Sequence, residues 1–233
     1  MSVSEILHGP HTDEFREEIK KRLQQREKTV YPKKRKNVGF VIGNGESRTG
    51  FDLNLLMPIG KVFGCNALYR DFTPDLLFCM DEGITWEVRE SGFFPFIYRD
   101  WGTNGEVQGN LILNTYGTKY PDWGYAAGPT AVRFMCEHFP LVNQIYMLGF
   151  DLYGLEGKVN NVYKGTPCYA SEDNEATFFR GWVKRLGEVF DLFPRINFFR
   201  VGNTSDPIPD EWLKSNVLFI SYPDLYSILR GST

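Results

Sequence analysis

Asn37-Val38-Gly39-Phe40-Val41-Ile42-Gly43-Asn44-Gly45-Glu46-Ser47 is the stretch that decides the fold. A short apolar run, rich in β-branched and aromatic residues, breaks abruptly into a glycine-rich turn. This pattern predicts a buried strand rather than a helix. Glycine permits backbone conformations closed to other residues and lets a chain approach a ligand closely. At the carboxyl end of a strand in a parallel sheet, such a turn lies where phosphates and nucleotides collect. Gly43, Asn44, Gly45 and Ser47 are then expected to offer backbone N–H groups, an amide and a hydroxyl. The turn is not a G-x-G-x-x-G fingerprint, and no Gly-Lys-Ser/Thr follows, so it is not a P-loop either.

Working outward, Lys61–Cys65, Leu76–Met80, Phe94–Tyr98, Leu111–Asn114, Ile145–Leu148 and Ile196–Val201 read as further strands. Thr12–Arg26 reads as a polar helix. Gly128–His138 reads as a helix with Pro129 at its first position and Val132, Met135 and Cys136 on one face. Glu172–Phe193 reads as a long helix with Phe178, Phe179, Trp182, Leu186, Val189 and Phe190 toward the core. Asp210–Leu213 and Tyr222–Leu229 read as short helices, and Gly102–Gly109 and Gly154–Ser171 as loops over the active edge. Strands alternating with helices predict an α/β fold: a single domain with a mainly parallel, Rossmann-like sheet covered by helices on both faces. A polar helix and basic linker at 1–36 precede this domain at 37–233.

The chain has 233 residues, 42% of them hydrophobic, enough to bury a substantial core without disulfides. A net charge of -3 argues against a protein that coats nucleic acid by charge alone. Lys20–Lys36 is a local basic exception, read first as a solvated face and second as a phosphate-contacting patch. Cys65, Cys79, Cys136 and Cys168 show neither a CxxC pair nor metal-finger spacing, so no metal site is expected. Three of them sit in apolar segments as small hydrophobes, and a reducing, cytoplasmic setting is expected. No signal-peptide pattern opens the chain, and no apolar run approaches the ~20 residues that span a bilayer.

Other strand ends carry polar residues as well. Asn66 follows the second strand, Asp81 the third, and Gly149-Phe150-Asp151-Leu152-Tyr153 the strand at Ile145–Leu148. Such tips gather at one edge of a parallel sheet and predict a ligand crevice there.

Three of these stretches, in order, resemble the bacterial sialyltransferase-like glycosyltransferases: Val41–Ser47, Val62–Tyr69 and Ile145–Tyr153 match that family's GNGPS-like turn, F-x-C-N strand end and G-I-D-x-Y strand end. The resemblance runs from about Val38 to Val201. It implies a variant of the GT-A fold and a metal-independent, inverting transfer with no cofactor beyond a nucleotide-sugar co-substrate of CMP or UDP type. It also implies that Asn44 and Asn66 hold the ribose–phosphate, that Gly149, Asp151 and Tyr153 surround the nucleotide, and that the Tyr153 hydroxyl supports the departing phosphate. The chain departs from the family at three places. Ala126-Ala127-Gly128-Pro129-Thr130 lacks the serine that helps to hold a sialic-acid carboxylate, with Gly128 and Thr130 the remaining donor-side candidates. Asp81 stands where the family has asparagine. Cys168–Asp173 lacks the family's histidine base, and the chain's histidines are His8, His11 and His138. A neutral or non-sialic sugar is therefore expected, with Asp81 as the first candidate base and Glu172 or Asp173 as the second.

The acceptor is either a glycan or, given the basic segment, a modified DNA base. Trp101, Tyr116, Tyr120 and Trp123 are candidates for an acceptor platform. Two other readings stay open: a non-catalytic nucleotide- or glycan-binding protein that keeps this fold, and a nucleotide pyrophosphotransferase. The oligomeric state is not legible.

Overall fold

β1 (Val38–Ile42) is buried at every position, as a strand covered on both faces must be. Its side chains alternate, with Phe40 and Ile42 in one hydrophobic cluster and Val41 in another across the sheet. The structure, a computed structural model, describes residues 13–28, 36–93, 98–99, 106–108, 111–113, 126–153, 156–176 and 179–231.

Parallel to β1 on one side run β2 (Lys61–Cys65), β3 (Leu76–Cys79) and β6 (Leu111–Leu113). On the other side run β7 (Gln144–Leu148), β8 (Asn197–Val201) and β9 (Val217–Ile220), also parallel. Two short strands, β4 (Tyr98–Arg99) and β5 (Glu106–Gln108), extend the β6 edge in antiparallel fashion. The order in the nine-stranded sheet is β4-β5-β6-β3-β2-β1-β7-β8-β9. The chain builds outward from β1 through β2 and β3, lays β4, β5 and β6 from the far edge back to β3, then crosses β1 to build outward through β7, β8 and β9. The reversal between β1 and β7 is the topological switch point, where an open α/β sheet leaves a crevice beyond its carboxyl edge.

Helices cover both faces. On one lie α1 (Asp13–Lys28), α2 (Glu82–Glu90) and α5 (Tyr222–Arg230), which contribute Ile19, Ile84 and Val88, and Leu225 and Leu229 respectively to the first cluster. On the other lie α3 (Ala127–His138) and α4 (Phe179–Leu192), packed against Val41, Met147 and Phe198. α1 is polar outside but docked inside: Ile19 is buried, and Arg22 donates to the Arg70 carbonyl at 2.9 Å. α5 opens on a reciprocal capping box between Ser221 and Asp224.

Several expectations need correction. Helix does not begin at Glu172: Ser171 donates to the Asn174 side chain at 2.6 Å, and the backbones of Lys158 and Glu175 form an isolated antiparallel β-bridge. This segment thus pairs with the preceding loop, and α4 spans Phe179–Leu192. Pro129 is the third helical residue rather than the first, which still costs no hydrogen bond because the first-turn N–H groups have no intrahelical acceptor. Asp210–Trp212 is a 3-10 turn, anchored by the buried Trp212 indole donating to the Val183 carbonyl at 2.9 Å. β5 falls inside the expected loop at Gly102–Gly109, and β9 was not anticipated. Of the expected strand Phe94–Tyr98, residues 94–97 lie outside the described residues, as do Trp101, Tyr116, Tyr120, Trp123 and the linker positions Lys33, Lys34 and Arg35.

Candidate functional site

At the switch point the tips of β1, β2, β3 and β7 surround a crevice of about 400 Å³, together with the first turn of α3, the start of α4 and the strap formed by residues 156–176. Asn44, Asn66, Asp81, Gly128, Gly149 and Asp151 all line it. Residues separated by more than a hundred positions in sequence therefore meet, as the strand-tip reading expected.

The Gly43–Ser47 turn is sewn to β7 rather than left open. Gly43 N–H donates to the Leu148 carbonyl at 2.7 Å, and Gly45 N–H to the Gly149 carbonyl at 2.9 Å. Glu46 N–H donates to Asn160 Oδ1 at 2.8 Å. Asp151 accepts the Ser47 N–H at 2.6 Å and the Ser47 hydroxyl as well. The expectation that Gly43, Gly45 and Ser47 present free donors is thus corrected: their groups hold the turn in place. Two glycines are required by this closeness. A side chain at Gly45 would begin 2.5 Å from Asp151 Cγ, and Gly149 has a φ of +67° with the Gly43 carbonyl oxygen 2.8 Å from where its Cβ would stand.

Asn44 is what the turn does present. Its Nδ2 donates to the Tyr169 hydroxyl at 3.2 Å, while its Oδ1, shut off from solvent, has no hydrogen-bond partner among the described residues. Asn66, in the left-handed region with a φ of +50°, turns its side chain across the tips of two strands. Its Oδ1 accepts from Met80 N–H at 3.3 Å and its Nδ2 donates to Asp81 Oδ2 at 3.2 Å.

Asp81 occupies the N-cap position of α2, yet its side chain makes no cap hydrogen bond. The carboxylate turns to Asn66 instead, on the rim of the crevice. Desolvation by the crevice wall raises its pKa above the ordinary 3.8, and the hydrogen bond from Asn66 opposes the shift. The other carboxylate oxygen, Oδ1, accepts no hydrogen bond among the described residues.

α3 enters the site by its N-terminus. Its N-cap is Ala126, which supplies no side-chain cap, so the first-turn N–H groups of Ala127 and Gly128 face the crevice as uncapped donors at the positive end of the helix dipole. Thr130 does not join them, because its hydroxyl donates to the Ala126 carbonyl at 2.9 Å within the helix.

Tyr153 lies beside the crevice, packed on the second hydrophobic cluster, and does not line it. Glu172 and Asp173 are exposed on the outer part of the strap and do not line it either. Among the described residues no three His, Cys, Asp or Glu side chains gather into a metal-binding group, and no helix is long and apolar enough to cross a membrane.

Sequence reasoning missed the residues that fix the strap. Arg70 forms a bidentate pair with Glu87, at 2.7 and 2.6 Å, and Tyr69 donates to the same carboxylate. The same guanidinium donates to Thr166 Oγ1 at 2.6 Å and the Pro167 carbonyl at 2.9 Å, and lies 5.5 and 5.7 Å from the Tyr163 and Tyr169 ring centroids. Tyr169 in turn accepts from Ala67 N–H at 3.2 Å, beside its contact with Asn44. Behind the turn, buried Arg48 donates to the Gly43 carbonyl at 3.0 Å and to the Tyr163 hydroxyl at 2.9 Å. Charged residues set between the apolar segments were the one available signal for Arg48, Arg70 and Glu87. Trp182, read as core-facing, instead stands 42% exposed in the crevice wall. It lies in the opening turn of α4, and helical side chains lean toward the N-terminus.

The geometry defines an α/β protein of Rossmann-like topology with a ligand-sized crevice at its strand reversal. No protein-family model matches the chain, and no curated protein matches it.

Proposed function

We propose that the crevice binds a nucleotide-sugar of CMP or UDP type and that the protein transfers the sugar to a hydroxyl of a glycan or a modified nucleobase, in a reducing, cytoplasmic setting. One observation carries the reading. An acceptor on Asn44 without a partner among the described residues, the Asp81 carboxylate and the uncapped N-terminus of α3 line one crevice at the switch point, in a volume that suits a nucleotide. Of the ordered motifs that resemble the sialyltransferase-like glycosyltransferases, Val41–Ser47 supplies Asn44, whereas Asp81 and the N-terminus of α3 stand where the chain departs from that family.

Each group has a task. A turn of the Asn44 amide brings Oδ1 to the crevice, where a ribose hydroxyl donating to it satisfies an acceptor that is otherwise buried and without a partner among the described residues. The first turn of α3 receives the phosphate. Asp81 takes the proton from the acceptor hydroxyl as the acceptor oxygen bonds to the anomeric carbon. The anomeric carbon–oxygen bond to phosphate breaks, and its electron pair leaves with the nucleotide. Asp81 also disfavours a carboxylate-bearing sugar, which supports a neutral one. Asp151 and Ser47 shape the turn rather than touch the ligand.

The test is a panel of CMP-, UDP- and GDP-sugars, read by calorimetric binding and by transfer or hydrolysis, with the wild type beside Asp81→Asn. Binding with turnover that Asp81→Asn abolishes is expected. Binding and turnover untouched by Asp81→Asn would favour a non-catalytic role for that residue. No nucleotide bound at millimolar concentration would remove the proposal.

A further inference from the structure

The crevice has two chemically unlike walls. Asn44 and Asn66, on the tips of β1 and β2, form a wall of amides. Leu152, four residues beyond β7, and Trp182 and Leu186 on α4 supply apolar lining to the same crevice. Val183 and Leu186 are buried and anchor α4, yet Trp182 is left 42% exposed. The other exposed tryptophan among the described residues, Trp86, has the Arg89 guanidinium over its ring at 5.4 Å and does not line the crevice. Of the other described aromatic residues that line the crevice, Phe150 is buried. Tyr169 is half-buried, with the Arg70 guanidinium 5.7 Å from its ring centroid and its hydroxyl taken by Asn44 and Ala67. Trp182 is thus the one of the three that is exposed.

We propose that Trp182 is the stacking platform for the nucleobase of the bound nucleotide. The inference rests on the nucleotide reading above and adds which wall takes which part. A nucleobase is a planar ring with weakly polar faces, and an indole accepts such a face regardless of base identity. A ribose is a ring of hydroxyls and matches the amide wall, where Asn44 Oδ1 lacks a donor. Placing the base on the amides instead would strand the hydroxyls against the exposed Trp182 ring. Stacking also tolerates different bases, so discrimination among pyrimidine nucleotides falls to groups other than Trp182.

The experiment compares CMP and UMP with ribose 5-phosphate, which carries the same sugar and phosphate without a base. Affinities are measured by calorimetry for wild type, Trp182→Phe and Trp182→Ala. Because Trp182 is exposed, both variants should fold, which thermal unfolding checks. Trp182→Ala should weaken CMP and UMP by about tenfold or more, the scale of one base–aromatic stack, and leave ribose 5-phosphate unchanged. Trp182→Phe should keep most of the nucleotide affinity. Wild-type indole fluorescence should be quenched by CMP and UMP, and the quench should vanish in Trp182→Phe. Unchanged nucleotide affinity in Trp182→Ala overturns this proposal while leaving the nucleotide reading intact. Equal losses for nucleotide and ribose 5-phosphate overturn it too, since the indole would then serve the wall and not the base. A wild type that binds none of the three ligands overturns the parent reading as well.

Discussion

At the scale of single residues, the site separates groups that build it from groups left free to act. Asp81 is of the second kind. Its pKa is raised by desolvation, so in the folded protein it holds its proton to higher pH than an ordinary aspartate. As a base it is inactive when protonated. Activity should therefore climb as pH rises through that raised pKa, with the acid limb of kcat/KM above 3.8. Asp81→Asn should lower kcat by roughly 10²- to 10⁴-fold, the usual contribution of a general base, and should erase the acid limb while nucleotide binding persists. An acid limb surviving in that variant would assign the titration elsewhere. Gly45 is of the first kind: Gly45→Ala sets a Cβ 2.5 Å from Asp151 Cγ and must dislodge the carboxylate from Ser47. A loss of about 1–3 kcal/mol in denaturant unfolding is expected, as for other overpacked sites. Gly181→Ala, in open space on α4, should gain up to about 1 kcal/mol from helix propensity and serves as the control. The cysteines divide in the same way. Cys65, Cys79 and Cys136 are buried, with Cys65 pushed up to about 12, whereas Cys168 is exposed on the crevice rim. Under native conditions a maleimide should modify Cys168 alone and more slowly with nucleotide bound; its rate should rise with pH as the thiolate forms, later than for an ordinary cysteine because desolvation raises that thiol. Modification of Cys65 in the folded protein would contradict the closed floor of the crevice.

At the scale of elements, the strap is the part that sequence could not reveal. β1, β2, β3 and β7 are short apolar runs with punctuated ends, and local pattern located each of them within a residue or so. Their polar tips were legible for the same reason, because a parallel sheet delivers strand ends to one edge. The strap is positioned by contacts with no local signature: Tyr169 meets Asn44 across 125 positions, and Arg70 meets Thr166 across 96. β9 escaped notice as a short edge strand with only its first residue buried, which leaves little amphipathic pattern to read. The start of α4 was misplaced because acidic residues at 172 and 173 mimic a helix opening, while Ser171 and Asn174 close a turn there instead. Arg70 makes the strap's attachment testable. Arg70→Ala strands Glu87, 4% exposed, without its cation and should cost about 3–5 kcal/mol. Arg70→Met with Glu87→Met removes both charges and should recover much of that stability. The double variant still lacks the donors to Thr166 and Pro167, so amides at 163–169 should exchange faster and nucleotide should bind more weakly. Wild-type exchange and affinity in the double variant would show that the strap holds without Arg70.

At the scale of the whole molecule, the crevice is where the two helical layers meet. α3 and α4 belong to the cluster on one face of the sheet, whereas the strap residues Tyr163 and Tyr169 pack on the cluster of the other. β1 lies between them and contributes to both. A ligand touching Asn44, the first turn of α3 and Trp182 therefore bridges layers that otherwise communicate through the sheet. Ligand that binds only the native state stabilises it by mass action, by about 2.7 kcal/mol at a hundredfold excess over Kd. For a chain of 233 residues that corresponds to a rise in Tm of roughly 5–10 °C. Because the contacts come from both faces, protection from hydrogen exchange should increase together in the first turn of α4 and in the strap. A nucleotide that raises Tm while protecting one of these and not the other would place the ligand on a single face, and the crevice would not be the site that spans the switch point.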